Sequence, residues 1–278
     1  MSPPCAVCGA TSRRVVLRHP DGVLSRCPGC RLVSVDPLPS ASRALAQYDT
    51  AYFRGAGYRD YEGEEAVFRR EFRRRLRAIR AAGGRGRLLD VGAASGALLL
   101  EARAAGYSPA GIEPAPEIAR LAAERTGAEV FSGPVEQASF PAASFGVATC
   151  FDALEHMVDP VAALSRIRGW LAPGGILAVT VPDFGGLWAR MSGRHWPFVT
   201  PKEHLHYFDR ATLARALCAA GFAPPVFRRA GTPVSFGTIA HEVLGPAGPA
   251  AERALGPLAV RGFSLAFGTL FALARARP

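Results

Sequence analysis

The sequence predicts an α/β protein: a doubly wound, mostly parallel sheet with a small metal-held module in front of it. Three observations carry this prediction. From residue 85 onward, short apolar strands alternate with amphipathic helices. Leu88-Leu89-Asp90-Val91-Gly92-Ala93-Ala94-Ser95-Gly96 reads as a buried strand, a small-residue turn and a helix start, and Glu113 closes the next apolar run. Near the front, Cys5, Cys8, Cys27 and Cys30 form two C-x2-C pairs.

The front module is predicted over residues 1–36. Eighteen residues separate the two cysteine pairs, which is zinc-ribbon spacing. Gly9, and Pro28-Gly29 inside the second pair, suit the knuckle turns whose N–H groups face thiolates. Four thiolates around Zn²⁺ leave a net negative charge that Arg13, Arg14, Arg26 and Arg31 can offset. All four positions are filled, so the expected site is structural, and the metal stands in for a core the module is too small to build. Cys150 and Cys218 lie in apolar runs and read as inert core residues.

Residues 37–84 are expected to form a linker and an amphipathic helix. Pro37 and Pro39 mark the linker, and Tyr48, Tyr52, Phe53 and Tyr58 are expected to pack over the main domain. Phe68, Phe72, Leu76 and Ile79 recur at helical spacing within residues 62–82, and Gly83-Gly84 ends that helix. Residues 85–278 make the main domain. Strands are expected at Arg87–Val91, Ser108–Ile112, Glu129–Ser132, Val147–Phe151 and Ile176–Val181. Helices are expected at Ala97–Ala105, Pro116–Arg125 and Val161–Leu171, the last stopped by Pro173-Gly174-Gly175. A helix Leu213–Ala220, a strand Pro225–Arg229 and a last strand Thr269–Arg275 complete it, with residues 232–265 as a partly helical insertion.

Ligands of such sheets bind beyond the carboxyl ends of the strands. The spacing excludes a dinucleotide, because Ala94 and Ala97 stand where the second and third glycines of G-x-G-x-x-G belong. A nucleoside remains: Asp90, Gly92, Ala93 and Gly96 form the turn, and Glu113 is placed to accept bonds from ribose hydroxyls. Pro114, Val135, Glu136 and Asp152 follow the neighbouring strands and complete the expected cofactor site.

This turn resembles the first motif of class I S-adenosylmethionine-dependent methyltransferases, with Asp90, Gly92 and Gly96 at matching positions and Ala94 in place of a frequent glycine. Leu154-Glu155-His156, Asp159-Pro160, Leu171-Ala172-Pro173-Gly174-Gly175 and His204-Leu205-His206-Tyr207-Phe208 resemble a group that includes quinone and secondary-metabolite methyltransferases. Gly146 departs from it, where an aspartate is usual. The front ribbon looks like those fused to some bacterial small-molecule methyltransferases. The resemblance implies a Rossmann-like sheet, S-adenosylmethionine as cofactor and methyl transfer to oxygen or carbon of a small molecule such as a secondary metabolite, sugar or quinone. The alternatives are an RNA base methyltransferase that uses the ribbon to bind RNA, and a cofactor-binding scaffold without turnover.

Methyl transfer needs the acceptor placed in line and, for a hydroxyl, relieved of its proton. His156, His204 and His206 are the candidates for that step. Glu155-His156 offers two ligands for a divalent cation, too few on their own. Residues 183–203, with Trp188, His195, Trp196 and Phe198, are a candidate lid. The net charge of +10 does not itself call for nucleic acid, because 32 of the 33 basic residues are arginine and many of them lie between Arg69 and Arg80. No run of apolar residues is long enough for a membrane span, and no basic stretch followed by an apolar run opens the chain. A cytoplasmic location with reduced cysteines is therefore expected.

Overall fold

The computed structural model describes residues 3–46, 61–229, 231–237, 247–259, 261–265 and 268–277. The aromatic residues Tyr48, Tyr52, Phe53 and Tyr58 lie outside these. Five strands run parallel in the main sheet: β4 (Arg87–Val91), β5 (Ser108–Glu113), β6 (Glu129–Ser132), β7 (Phe145–Phe151) and β8 (Leu171–Pro182). Beyond β8, β13 (Thr269–Arg275) runs antiparallel to β8 and β10 (Val226–Arg228) runs antiparallel to β13. The order is β10-β13-β8-β7-β4-β5-β6, so the chain leaves β4 towards one edge and returns to its other side at β7. That reversal opens a crevice at the carboxyl end of β4.

Alternation along the strands divides the core into two layers. Leu88 and Val147 face a cluster with Phe72, Leu76 and Ile79 of α2 (Tyr61–Ala81) and Leu98 and Ala102 of α3 (Ala97–Ala104). Leu89, Ala148 and Cys150 face the opposite cluster, with Leu164 and Ile167 of α5 (Pro160–Trp170) and Leu213 and Leu217 of α7 (Arg210–Ala219). The helices start where their sequences provide caps. Asp159 Oδ1 accepts from the Ala162 N–H at 2.9 Å ahead of Pro160, and Asp209 and Thr212 form a reciprocal capping box. α4 (Pro116–Thr126) opens on a proline and closes on Gly127 in the left-handed conformation.

The ribbon comprises β1 (Arg14–His19), β2 (Gly22–Arg26) and β3 (Val33–Val35). It is not a free-standing unit. β3 pairs with β9 (His206–Tyr207) of the main domain, in the register Val33↔Tyr207 and Ser34↔His206. Leu24, Val33 and Val35 share a buried cluster with Ala189, Trp196, Val199 and Tyr207. The segment expected as a lid thus includes a helix, α6 (Leu187–Ser192), and packs on the ribbon, with Trp196 only 2% exposed.

Three local differences from the sequence reading have physical causes. β8 begins at Leu171 and absorbs Pro173-Gly174-Gly175, because a register shift against β7, from Phe145↔Leu171 to Val147↔Ile176, takes up the extra residues. The insertion holds a two-stranded antiparallel sheet, β11 (Thr232–Ser235) with β12 (Gly262–Leu265), besides α8 (Gly248–Leu255). Gly146 is a steric requirement: a Cβ there would collide with the carbonyl oxygen of Arg85. Gly146→Ala should therefore destabilise the chain by about 1–3 kcal/mol, seen as a thermal midpoint lowered by roughly 3–10 °C. An unchanged midpoint would show that Arg85 yields freely.

Candidate active site

The carboxyl ends of β4, β5 and β7 surround a cavity of about 200 Å³. On its floor, the turn after β4 is held by three hydrogen bonds from backbone N–H groups. The N–H groups of Gly92 and Ala93 both donate to Ile112 O at 2.9 Å, and the Ala94 N–H donates to Glu113 Oε2 at 2.8 Å. The other carboxylate oxygen of Glu113 accepts from the Ala115 N–H at 3.0 Å. Gly92 has φ +84° and Ala94 φ +43°, so the tight turn is kept even where a side chain is present. Each Glu113 oxygen retains a second lone pair for a hydroxyl donor.

Asp90 is the second buried carboxylate of the floor and accepts from Thr149 Oγ1 at 2.7 Å. Burial pushes Asp90 up to about 7, and the charge of Glu113 adds to the effect. Burial also pushes Glu113 up to about 7, against the pull of its two backbone donors. A ligand that brings hydroxyl or ammonium donors supplies what both groups lack.

Phe151, Phe68 and Phe72 form an apolar wall of the cavity, joined by Ala41, Ala44 and Leu45 at α1 (Ala41–Leu45). Phe72 stacks on Phe151 with centroids 6.3 Å apart. Behind them, Arg75 is 2% exposed. It lies over the Phe151 ring at 4.9 Å, donates to Gly231 O at 3.2 Å and approaches Asp152 Oδ2 at 3.6 Å. Asp152 itself has φ +50°, a conformation costly for a side chain, and turns into the cavity.

The reactive side chains come from two distant segments. His156 lines the cavity, and its ring meets that of His204 at 4.8 Å. His156 Nδ1 donates to Glu203 O at 3.0 Å, and His204 Nδ1 donates to Phe198 O at 2.8 Å. A carbonyl can only accept, so His204 in its neutral form carries its proton on Nδ1 and its lone pair on Nε2. Burial pushes His156 down to about 3, with His204 contributing, and also lowers His204. Both rings are neutral at physiological pH. Beside them, Glu155 is buried, and neither of its carboxylate oxygens has a hydrogen-bond partner among the described residues. Burial and the nearby Asp152 raise it well above the usual carboxylate range. Ligand atoms of Glu155, His156 and His204 lie within 4.8 Å of one another, a set that could hold a divalent cation.

A second candidate metal centre sits in the ribbon. The Sγ atoms of Cys5, Cys8, Cys27 and Cys30 all lie within 4.8 Å of one another, with Cys5–Cys30 at 3.5 Å and Cys8–Cys27 at 3.4 Å. A tetrahedral Zn–S₄ centre needs a spacing of roughly 3.8 Å, close to this. The two knuckles repeat one pattern. Gly9 N–H donates to Cys5 O and Arg31 N–H to Cys27 O, with φ +72° and +71° at Gly9 and Arg31. A Cβ at Gly29 would stand 3.2 Å from Cys8 Sγ, so glycine leaves room for the thiolate.

The sequence model of one family, described as a methyltransferase domain, matches residues 63–224. The chain belongs to this family. Two curated relatives are ubiquinone biosynthesis O-methyltransferases. That of Histophilus somni is 30% identical over 152 residues, and that of Xanthomonas axonopodis pv. citri is 35% identical over 148 residues. The matches cover 46% and 49% of this chain, and the chain spans 64% and 62% of those relatives. Among solved structures, a 1,6-didemethyltoxoflavin N1-methyltransferase of Burkholderia thailandensis with bound S-adenosylhomocysteine aligns with TM-score 0.58 at 19% identity, over 95% of this chain and 100% of that one. A methyltransferase of Thermotoga maritima, described as a possible histamine N-methyltransferase, aligns with TM-score 0.55 at 19% identity, over 78% and 94%. At these identities the structures speak for the fold, a Rossmann-like methyltransferase sheet.

Within this methyltransferase domain, Asp90, Gly92, Ala93, Glu113, Pro114, Val135, Glu136, Asp152 and His156 all line one cavity. Gly96 is not among the lining residues. Its φ is +83°, and a Cβ there would meet Thr126 at 2.6 Å, so it serves the close packing of α3 on α4. His204 reaches the site through His156. His206 does not reach it: it is 2% exposed, and both ring nitrogens are engaged, by Ser34 Oγ at 2.8 Å and Val158 O at 3.2 Å. Sequence reasoning named Glu155 as a cation ligand but not that His204 completes the set, and it missed the Arg75–Asp152 pair and the wall from Phe68 and Phe72. The only signal for that wall was a helix periodicity that equally describes ordinary core.

The raised Asp90 gives a signed pH dependence. Its protonated form is favoured in the fold, so its contribution to stability is full below pH 3.8 and is lost as pH rises through about 7. In the unliganded chain, Asp90→Asn should gain roughly 1–3 kcal/mol on the wild-type sequence between pH 5 and pH 8, measured by urea unfolding. A difference independent of pH would place the charge of Asp90 in water.

Proposed function

We propose that the chain is an S-adenosylmethionine-dependent methyltransferase that acts on oxygen or carbon of a small molecule, of the secondary-metabolite, sugar or quinone-like kind. One observation carries most weight: Asp90, Glu113 and His156 converge on a single cavity at the switch point of a methyltransferase-family sheet. Glu113 would accept the ribose hydroxyls, Val135 and Glu136 would read the adenine edge, and Asp90 with the turn at Gly92 and Ala93 would hold the remainder of the cofactor. The bound cofactor supplies the electrophilic methyl group. The names of the two ubiquinone-biosynthesis relatives favour oxygen, and the phenylalanine wall suits an apolar ring.

His204, which reaches the cavity through His156, is the base its tautomer favours. Its Nδ1–H is tied to a backbone carbonyl, which leaves Nε2 to take a proton. His156, pushed down to about 3, is a weak base and orients the acceptor from the cavity wall. In the alternative arrangement Glu155, His156 and His204 would together hold a divalent cation; His204 Nε2 would then be a ligand and not the base, and the charge of the bound cation would favour a deprotonated acceptor hydroxyl. In the ribbon, Cys5, Cys8, Cys27 and Cys30 would hold a structural Zn²⁺. An RNA substrate is the less supported alternative, since the ribbon spends one sheet edge and an apolar face on the main domain. No helix of the described residues is long and apolar enough to cross a membrane. We place the protein in the cytoplasm, where the four thiols stay reduced.

The test has two stages. Calorimetry with S-adenosylhomocysteine should show saturable binding that weakens at least tenfold in Glu113→Ala and about tenfold between pH 8 and pH 6, as the raised acid takes up a proton. Mass spectrometry of cell extract incubated with labelled cofactor should then reveal a methylated small molecule. His204→Ala and His156→Ala should lower that turnover by roughly 10²–10⁴-fold and tenfold or more respectively, at nearly unchanged cofactor affinity. Wild-type affinity in Glu113→Ala, or full turnover in His204→Ala, would remove the residue from its assigned role.

A further inference from the structure

We infer that strand β3 of the ribbon is a positioning element for the reactive end of the site, with Ser34 and His206 as the positioning residues. The inference rests on reading Glu155, His156 and His204 as that reactive end.

Two parallel connections run from β3 to the loop that carries Glu155 and His156. The first is made of backbone. Val35 N–H donates to Leu205 O at 2.9 Å, and Leu205 N–H donates to Glu155 O at 2.8 Å. Leu205 therefore joins the ribbon strand to the Leu154–His156 turn through its own peptide groups, and the preceding residue is His204. The second connection is made of side chains. His206 Nε2 faces the carbonyl of Val158 at 3.2 Å, so that nitrogen carries the proton. Nδ1 of the same neutral ring then accepts from the Ser34 hydroxyl at 2.8 Å. The proton order from β3 to the site is thus fixed as Ser34 O–H to His206 to Val158.

The chemistry at the far end gives these connections their purpose. His156 and Glu155 sit on a single turn of 3₁₀ helix, which supplies little stiffness of its own. His204 lies on the segment ahead of a two-residue strand. Neither segment would hold the 4.8 Å approach of the two imidazoles unaided. β3 is bonded to the neighbours of both segments: it pairs with β9 through Ser34↔His206, and through Leu205 and His206 it grips the turn on either side of His156. Its own position is secured at the ribbon end, where Arg215 Nη1 donates to Cys30 O and Cys5, Cys27 and Cys30 pack in the main core. The cofactor floor is built separately, from β4 and β5. The connections thus predict a separable effect, with the reactive turn loosened and the Glu113 floor left intact.

Ser34→Ala removes one hydroxyl and no backbone bond, and His206→Gln keeps an N–H donor and an acceptor while abolishing ionisation. Amide exchange of the full-length protein, followed by mass spectrometry, should show Leu154–Val158 exchanging roughly tenfold faster in Ser34→Ala, with Leu88–Gly96 unchanged. S-adenosylhomocysteine should bind Ser34→Ala within twofold of the wild-type affinity. His206→Gln should keep wild-type protection at Leu154–Val158, because it retains a donor for Val158 O and an acceptor for Ser34 without an ionisable ring. With the methyl-accepting extract, Ser34→Ala should lower kcat at constant KM for the cofactor. Unchanged exchange at Leu154–Val158, or equal loosening of Leu88–Gly96, overturns the inference. Failure of the wild-type protein to bind the cofactor overturns the proposed function instead and leaves the exchange result to decide the positioning.

Discussion

One buried carboxylate ties the candidate site together. Glu113 ends β5, and its two oxygens take the N–H of Ala94 from the turn after β4 and the N–H of Ala115 at the start of α4. Without an acceptor there, two buried donors would be orphaned, each at a cost of about 1–3 kcal/mol. With it, the two loops that frame the cavity floor are locked to each other. The lock also explains the residue choice at Ala94. Its φ of +43° favours glycine, yet the bond to Glu113 holds the peptide in place and an alanine is tolerated. The arrangement is held under electrostatic tension, since burial raises both Glu113 and Asp90 to about 7. Such a pair is stable as two protonated acids or as two ligand-bound carboxylates, which couples occupancy of the floor to protonation.

The parts of the molecule legible in the sequence are those fixed by local rules. Strand alternation gave the five parallel strands, and Pro116 at a first turn and the stop at Gly83-Gly84 bounded helices to within a few residues. The cavity floor was legible for a related reason. In a parallel sheet every loop at the carboxyl ends faces the same crevice, so position in the strand order alone predicts that Asp90, Glu113, Val135 and Asp152 meet. Gly96 shows the limit of that logic. Its glycine belongs to the same motif but answers to Thr126 of α4, a packing demand that spacing cannot distinguish from ligand approach.

What stayed hidden depends on pairings across long stretches of chain. Nothing near Ser34 announces that it will face His206, 172 residues away. The sequence offered three histidines and set His156 apart only because it follows the fourth strand; the structure separates all three by what their ring nitrogens touch. His204 keeps a lone pair directed away from its carbonyl partner, His156 faces the cavity, and His206 spends both nitrogens on a connection. The candidate lid was misread for the same reason. Trp188, Trp196 and Phe198 had the composition of a cover for a ligand, but Leu24, Val33 and Val35 of the ribbon supply the apolar surface they pack against.

The division between floor and reactive end also bears on why Glu155 survives in its present place. A buried carboxylate with both oxygens unpartnered among the described residues is a standing cost, and a flexible turn would relieve it by swinging the side chain to solvent. The backbone bond from Leu205 to Glu155 O prevents that relaxation, and Leu205 is in turn held by Val35 of the ribbon. The strain at Glu155 and the rigidity of β3 therefore belong to one arrangement. The ribbon keeps an acidic group, poised beside two neutral imidazoles, in a position that the turn alone would abandon.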